Sequence, residues 1–271
     1  MKIVAITPAR NEAQYLPILR SSMERQLTRP ALWLIVDDGS KDPTPQFAQE
    51  YARTLNWVQV RTRPDRGHSY RGKGVAETFS FGVSEASKVV PEWELLAKID
   101  ADTELPESYF TDMCKKFEDN PKLGIASGTN VGEAGILTHP RGNNRVYRRA
   151  CWDSIDGLPA ISGWDTWDEI KARSRGWEAF AYEGIRVKHH RPESATFEYS
   201  FQQGKISRYL GYSWLIALGR SVKMCFGRNP VCALGYFLGY LAEGEKIEDN
   251  EFIDLLRGEQ RSRLMRLLHL R

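Results

Sequence analysis

Apolar and polar positions alternate in blocks along the first hundred residues. Short apolar runs recur at 3–6, 32–36 and 57–60, and a longer one (Trp93, Leu95, Leu96, Ala97, Ile99) ends at Asp100. Between them lie segments with helical spacing, at about 12–26, 45–54 and 75–87. Apolar runs of this length without polar alternation suit strands buried on both faces, and parallel strands need crossover helices of this size. The resulting βαβαβ order predicts an α/β fold with a mostly parallel sheet, flanking helices, and ligands bound beyond the carboxyl ends of its strands.

Further along, the pattern is less regular. Residues 124–149 are rich in Gly and Asn and read as strands and loops. A helix at about 166–175, stopped by Gly176, leads to a strand at 179–189 that closes on His189, His190, Arg191 and Pro192. From Phe197 the chain turns aromatic and helical. The stretch 209–226 is apolar but interrupted by Arg220 and Lys223, and 231–242 is only twelve residues long, against roughly 20 for a spanning helix. Helices that lie on a bilayer interface, or pack against a partner, are therefore expected, with a break at Asn229-Pro230. The last stretch, 251–271, sets Phe252, Leu255, Leu256, Leu264, Leu267 and Leu268 at helical spacing, with Arg257, Arg261, Arg263 and Arg266 on other faces. It reads equally as a helix on the main domain or at a membrane.

The chain has 271 residues with 41% hydrophobic and 11% aromatic content, enough for a full core. With 38 Lys and Arg against 35 Asp and Glu, no global field argues for a nucleic acid partner. Locally, residues 186–228 hold eight basic side chains against two acidic ones, next to strongly apolar sequence, which suits an anionic membrane surface. The four cysteines show no CxxC spacing and read as reduced, and the opening apolar stretch is short for an export signal. The expected location is the cytoplasm, at the cytosolic face of a membrane.

The candidate chemistry lies in the loops after the strands. They are Pro8, Ala9, Arg10, Asn11 and Glu12 after the first, and Asp37-Asp38-Gly39-Ser40 after the second. Arg71-Gly72-Lys73-Gly74 forms a basic turn ahead of the next helix, and Asp100-Ala101-Asp102 follows the longest apolar run. Paired carboxylates at a strand end can share a hard divalent cation and a sugar hydroxyl. Taken singly, Asp100 also suits a strand terminator and Asp102 the cap of a helix begun at Pro106. No G-x-G-x-x-G follows the first strand, which argues against a dehydrogenase.

Four such motifs in this order resemble the family 2 glycosyltransferases of the GT-A fold, over roughly residues 1–190, with a looser likeness beyond. The resemblance implies a Rossmann-like GT-A sheet made of a nucleotide-sugar-binding half (1–105) and an acceptor-binding half (106–196), followed by a helical segment (197–271). It implies inverting transfer from a UDP- or GDP-sugar to an acceptor hydroxyl, with Mn²⁺ or Mg²⁺ as cofactor. Asp38 takes the base-binding position, Pro8 to Glu12 wall the nucleotide pocket, and Lys73 is a second cation near the diphosphate. Asp100 faces the ribose or a metal-bound water and Asp102 ligates the metal. His189 or His190 supplies a further metal or phosphate ligand; on one strand, only one of the two points into the site.

The family's general base comes from an acidic motif at a helix start. Here the segment is Ser162-Gly163-Trp164-Asp165-Thr166-Trp167-Asp168-Glu169, which departs from the usual Glu-Asp pair. Asp165 falls on the base position and Asp168, one helical turn on, is the runner-up. A capping box led by Asp165 is the structural alternative. Trp164 and Trp167 are candidates for stacking on an acceptor sugar or for the core. The implied acceptor is lipid-linked or a growing polysaccharide. A polyprenyl phosphate acceptor, already ionised, makes Asp165 dispensable. A nucleotidyltransferase lacks support because no basic Gly-rich signature follows the first strand, and a non-catalytic scaffold of a membrane synthase has no need of Asp100, Asp102 and Asp165 together.

Overall fold

The computed structural model describes residues 1–65, 67, 72–133, 137–191, 196–227 and 229–267. Arg71, Pro192, Glu193, Arg228 and Leu268 lie outside them. Two compact units form, Met1–Arg191 and Pro192–Arg271.

In the first unit, β1 (Ile3–Ala9), β2 (Leu32–Asp37), β3 (Val58–Thr62) and β4 (Leu95–Ile99) pair in parallel, joined by α1 (Leu16–Glu24), α2 (Thr44–Thr54) and α3 (Lys73–Val89). Every residue of β2 and β4 is buried, as the continuous apolar runs require. After β4 come β5 (Thr103–Glu104), α4 (Tyr109–Asp119), β6 (Leu123–Asn130), β7 (Asn144–Arg148), α5 (Arg149–Ser154), α6 (Trp164–Ser174) and β8 (Glu178–His189). The eight strands run in the order β3-β2-β1-β4-β7-β6-β8-β5. β7 is antiparallel to both β4 and β6, whereas β6 and β8 run parallel. Because β4 pairs directly with β7, the stretches on either side of residue 105 share one sheet.

Several boundaries differ from the sequence pattern. The first helix starts at Leu16, not Glu12, with proline in its first turn and the Glu12 carbonyl accepting the Leu16 amide at 2.9 Å. Lys73 and Gly74 belong to the first turn of α3 and not to a loop. The helix near Pro106 begins at Tyr109, so Asp102 caps nothing.

The second unit holds α7 (Phe197–Tyr209), α8 (Trp214–Gly227), α9 (Pro230–Leu241) and α10 (Asn250–Leu267). Asn229 caps α9 by accepting the Val231 amide at 2.9 Å, which is the break expected at Asn229-Pro230. α7 and α9 meet backbone to backbone: a Cβ on Gly239 would lie 1.9 Å from the Phe201 carbonyl oxygen. Among the described residues no helix is long and apolar enough to cross a membrane.

Candidate functional site

Parallel pairing brings the polar ends of β1, β2 and β4 to one edge of the sheet. The first two loops are latched together. Asn11, at φ 56°, donates its amide to Ser40 Oγ at 2.9 Å and accepts the Lys41 amide on its side chain at 2.8 Å. Asp42 takes the Ala13 amide at 3.0 Å, and Thr44 Oγ1 takes that of Glu12 at 2.7 Å. Pro8 and Ala9 are the last residues of β1 itself, opposite Val36 and Asp37. Asp37 accepts the Ser40 amide at 3.1 Å and is buried.

Asp38, the residue after β2, is 6% exposed. Its carboxylate meets Arg63 at 3.3 Å, and Arg63 in turn reaches Thr78 Oγ1 at 3.0 Å. Arg10 donates to the Asp38 carbonyl and pairs with Asp65 at 2.7 Å. That hydrogen bond, with the Gly67 amide, holds the Asp65 carboxyl down to about 2. Gly39, at φ 75°, packs on Asp65 so closely that a Cβ would stand 2.5 Å from its Cα. The β2 loop is therefore built around a position only glycine fills.

At the end of β4, Asp100 accepts a hydrogen bond from Lys98 Nζ, which also donates to the Gly142 carbonyl at 2.8 Å. Lys98 is 1% exposed. Ala101 is buried in the turn closed by the Thr103 amide on the Asp100 carbonyl at 3.1 Å. Asp102 is 7% exposed. Its Oδ2 meets Arg191 Nε at 2.8 Å and His189 Nε2 at 3.3 Å, while its Oδ1 is buried with no partner among the described residues. Burial opposes ionisation of Asp102, but His189 and Arg191 outweigh it and hold the carboxyl below its usual range. The same hydrogen bond raises His189.

The two histidines part as strand geometry requires. Thr103 faces His189 in the β5–β8 ladder, and the His190 ring turns to Glu104, 2.9 Å away. His190 thus pairs with a carboxylate outside the Asp102 cluster, and His189 is the histidine that meets Asp102. Arg191, read from sequence as part of a basic surface stretch, instead bridges the site, with Nη2 on both Glu12 oxygens at 2.6 and 2.5 Å. Glu12 is nonetheless pushed up to about 7, because burial and the neighbouring Asp102 and Asp100 outweigh that pairing. Arg186 and Lys188, from the same stretch, contact Thr129 and Glu104.

The start of α6 faces the same region. Gly163 is its N-cap and no side chain caps it, so Asp165 leads no capping box. Asp165 sits in the first turn and is partly exposed. Asp168 is fully buried, with both carboxylate oxygens on Arg145 Nη1 at 2.6 and 2.7 Å and Tyr147 donating to Oδ2 at 2.6 Å. Glu169 completes the cluster at 2.8 Å from Arg145 Nη2. Asp168, the second base candidate, is thus an interior partner of Arg145. Arg145 Nη1 also donates to the Asp165 carbonyl at 3.0 Å, fixing the first turn of α6.

Trp164 and Trp167 are both buried, 6% and 9% exposed, which leaves little ring face for a sugar. The Trp164 ring has Lys98 Nζ at 5.1 Å and the Arg145 guanidinium at 5.4 Å from its centroid. Through Trp164 and Lys98, therefore, the base candidate on α6 is tied to Asp100 on β4. Lys73 is exposed on α3, whose N-cap Gly72 lies against Ser162, just before α6. Sequence reasoning missed Lys98, Arg145, Arg63 and Arg191 as site residues. Of these, Lys98 was legible as a charge inside an apolar run, where only a paired cation is tolerated.

The sheet order and its flanking helices define a GT-A type fold. The sequence profile of Glycosyl transferase family 2 matches residues 4–163, and the chain belongs to that family. Its fold is shared with the mannosyltransferase PcManGT from Pyrobaculum calidifontis, solved with GDP-Man and Mn²⁺ (TM-score 0.61, 16% identity, covering 96% of this chain and 74% of that one). It is also shared with TarS from S. aureus (TM-score 0.56, 17% identity, covering 84% of this chain), of which this chain spans only 44%. A form of TarS has been solved with UDP-GlcNAc. A third, GalNAc-T7, was solved with UDP, GalNAc and Mn²⁺ (TM-score 0.62, 11% identity, covering 96% of this chain and 54% of that one). Identities this low establish the fold alone. No curated protein matches the chain.

Proposed function

We propose that this chain transfers a sugar, with inversion, from a UDP- or GDP-sugar to an acceptor hydroxyl, assisted by Mn²⁺ or Mg²⁺. The observation that carries the reading is Asp102 Oδ1, a buried carboxylate oxygen with no partner among the described residues, whose neighbours are His189 and Arg191. A buried carboxylate oxygen left unmatched is costly unless a ligand satisfies it. Among the described residues no three His, Cys, Asp or Glu groups cluster tightly enough to enclose a metal. Asp102 and His189, with Asp100 beside them, are an open donor set that diphosphate oxygens would complete. A bound cation would offset charge on the departing diphosphate. Asp38 receives the base, the Pro8 to Glu12 loop walls the nucleotide, and Lys73 adds charge near the phosphates. Arg191, freed from Asp102, is placed to meet the diphosphate, and Lys98 holds Asp100 in orientation. Asp165 takes the proton of the acceptor hydroxyl from the face opposite the leaving group. The exposed apolar residues of α8 and α9 favour a lipid-linked or polysaccharide acceptor worked on at a membrane surface.

Titration of UDP and of GDP into the purified protein, with and without Mn²⁺, tests this. Metal-dependent binding of one nucleotide, weakened by a factor on the order of 10–100 in Asp102→Ala, is the expected result. Binding of either nucleotide that ignores both metal and Asp102 would overturn it.

A further inference from the structure

Three helices of the C-terminal unit frame a cavity of about 410 Å³ lined by none of the residues assigned above to sugar transfer. Ser213 and Trp214 at the start of α8, Tyr240 at the end of α9, and Arg257, Gln260 and Arg261 on α10 line it. Of the nine lining residues two are arginines and none is acidic. Gln260 is only 7% exposed. Its Oε1 accepts the Ser213 amide at 3.1 Å, which fixes the orientation of its side chain, and its Nε2 is a buried donor with no acceptor among the described residues. The cavity also abuts the N-terminus of a 14-residue helix, whose positive dipole end favours an anion, although the Ser213 and Ile216 amides are already taken by Gln260 Oε1 and Ser213 Oγ at 3.1 and 3.4 Å. Two guanidinium groups, an unmatched amide donor and a helix start are the chemistry of a phosphate site.

The surroundings indicate where that phosphate comes from. Trp214, Leu218, Val222 and Phe226 recur every fourth residue along α8, with exposures of 62%, 39%, 47% and 89%. Val231, Leu234, Leu238 and Leu241 continue the exposed apolar surface on α9. Residues 214–241 contain Arg220, Lys223 and Arg228 and not one acid. At 14 and 12 residues, α8 and α9 measure about 21 and 18 Å, short of the roughly 30 Å of a bilayer core. We propose that the cavity binds the phosphate of an anionic lipid headgroup, with α8 and α9 lying in the interface and their apolar faces against the acyl chains.

The test is flotation of the full chain with vesicles of phosphatidylcholine, alone or mixed with phosphatidylglycerol. It needs no sugar transfer, so its outcome is separate from that of the transfer reading. Wild type is expected to float with the mixed vesicles only. Arg257→Gln/Arg261→Gln, both at exposed positions, should bind on the order of thirtyfold more weakly, with circular dichroism checking that it folds without the Arg257 Nε bond to the Gly211 carbonyl at 3.3 Å. Gln260→Leu should also bind more weakly, with circular dichroism checking that it folds. Equal flotation of wild type and the double variant, or equal binding to neutral vesicles, would overturn the proposal. So would a perturbation of the Gln260 amide resonance by inorganic phosphate or glycerol 3-phosphate in a protein that ignores vesicles, since that marks a site for soluble phosphate.

Discussion

Replacing Asp168 and Asp165 in turn tests whether the first carboxylate is structural and the second chemical. Asp168→Asn keeps the shape but removes one of the two negative charges facing Arg145, and its amide presents a donor where Arg145 Nη1 and the Tyr147 hydroxyl already donate. Breaking a fully buried pair costs about 3–5 kcal/mol. Burial already pushes the Asp168 carboxyl up to about 6 against the pull of Arg145, so the low end applies, about 3 kcal/mol. For a unit of this size that lowers the melting temperature by about 6–12 °C. Asp165→Asn, at a partly exposed position, should change stability by no more than about 0.5 kcal/mol but lower kcat by about 10²–10⁴. Calorimetry of each variant, paired with kcat measured well below the melting transition, reads both effects. A Asp168→Asn enzyme that melts like wild type yet loses turnover would refute the assignment. Full activity in Asp165→Asn would point to an acceptor that arrives ionised, such as a polyprenyl phosphate.

Three further outcomes follow from the same geometry. Glu12 keeps its proton up to about 7 in the folded chain and releases it near 4.5 unfolded, so its contribution to stability falls as pH rises through that window. Denaturant melts of wild type and Glu12→Gln should therefore shift in favour of the variant between pH 5 and 8, and a constant difference would contradict the burial argument. Gly39→Ala forces a left-handed residue, costing about 1–2 kcal/mol, and drives its Cβ into Asp65. Nucleotide affinity should drop about fivefold to thirtyfold, and unchanged affinity would mean this loop does not shape the site. His189→Ala should weaken Mn²⁺-dependent nucleotide binding by about 10–100-fold while His190→Ala leaves it intact; the reverse order would exchange their roles.

The alternation of apolar runs with helical segments was enough to name the parallel half of the sheet and to put Asp38, Asp100 and Asp102 at its carboxyl edge. Burial on both faces leaves so strong a mark on composition that β2 and β4 were legible within a residue or two, and the start of β1 as well, whereas its last three residues, Thr7 to Ala9, read as loop. Family membership was legible too, because its motifs lie at the ends of those strands in a fixed order. Long-range pairing was not. Which histidine faces Asp102 depends on the Thr103–His189 register, set between segments more than eighty residues apart. Asp168 and Asp165 stand on one short helix, and only the docking of α6 over Arg145 buries one and leaves the other open. Arg191 read as one more surface cation until the β8 strand carried it between Glu12 and Asp102. The sequence by itself determined which elements form and which residue types stand at their ends, since those follow from local periodicity. Only the tertiary structure decided which charges meet, because partners are chosen by distance in space and by how much water packing removes from between them.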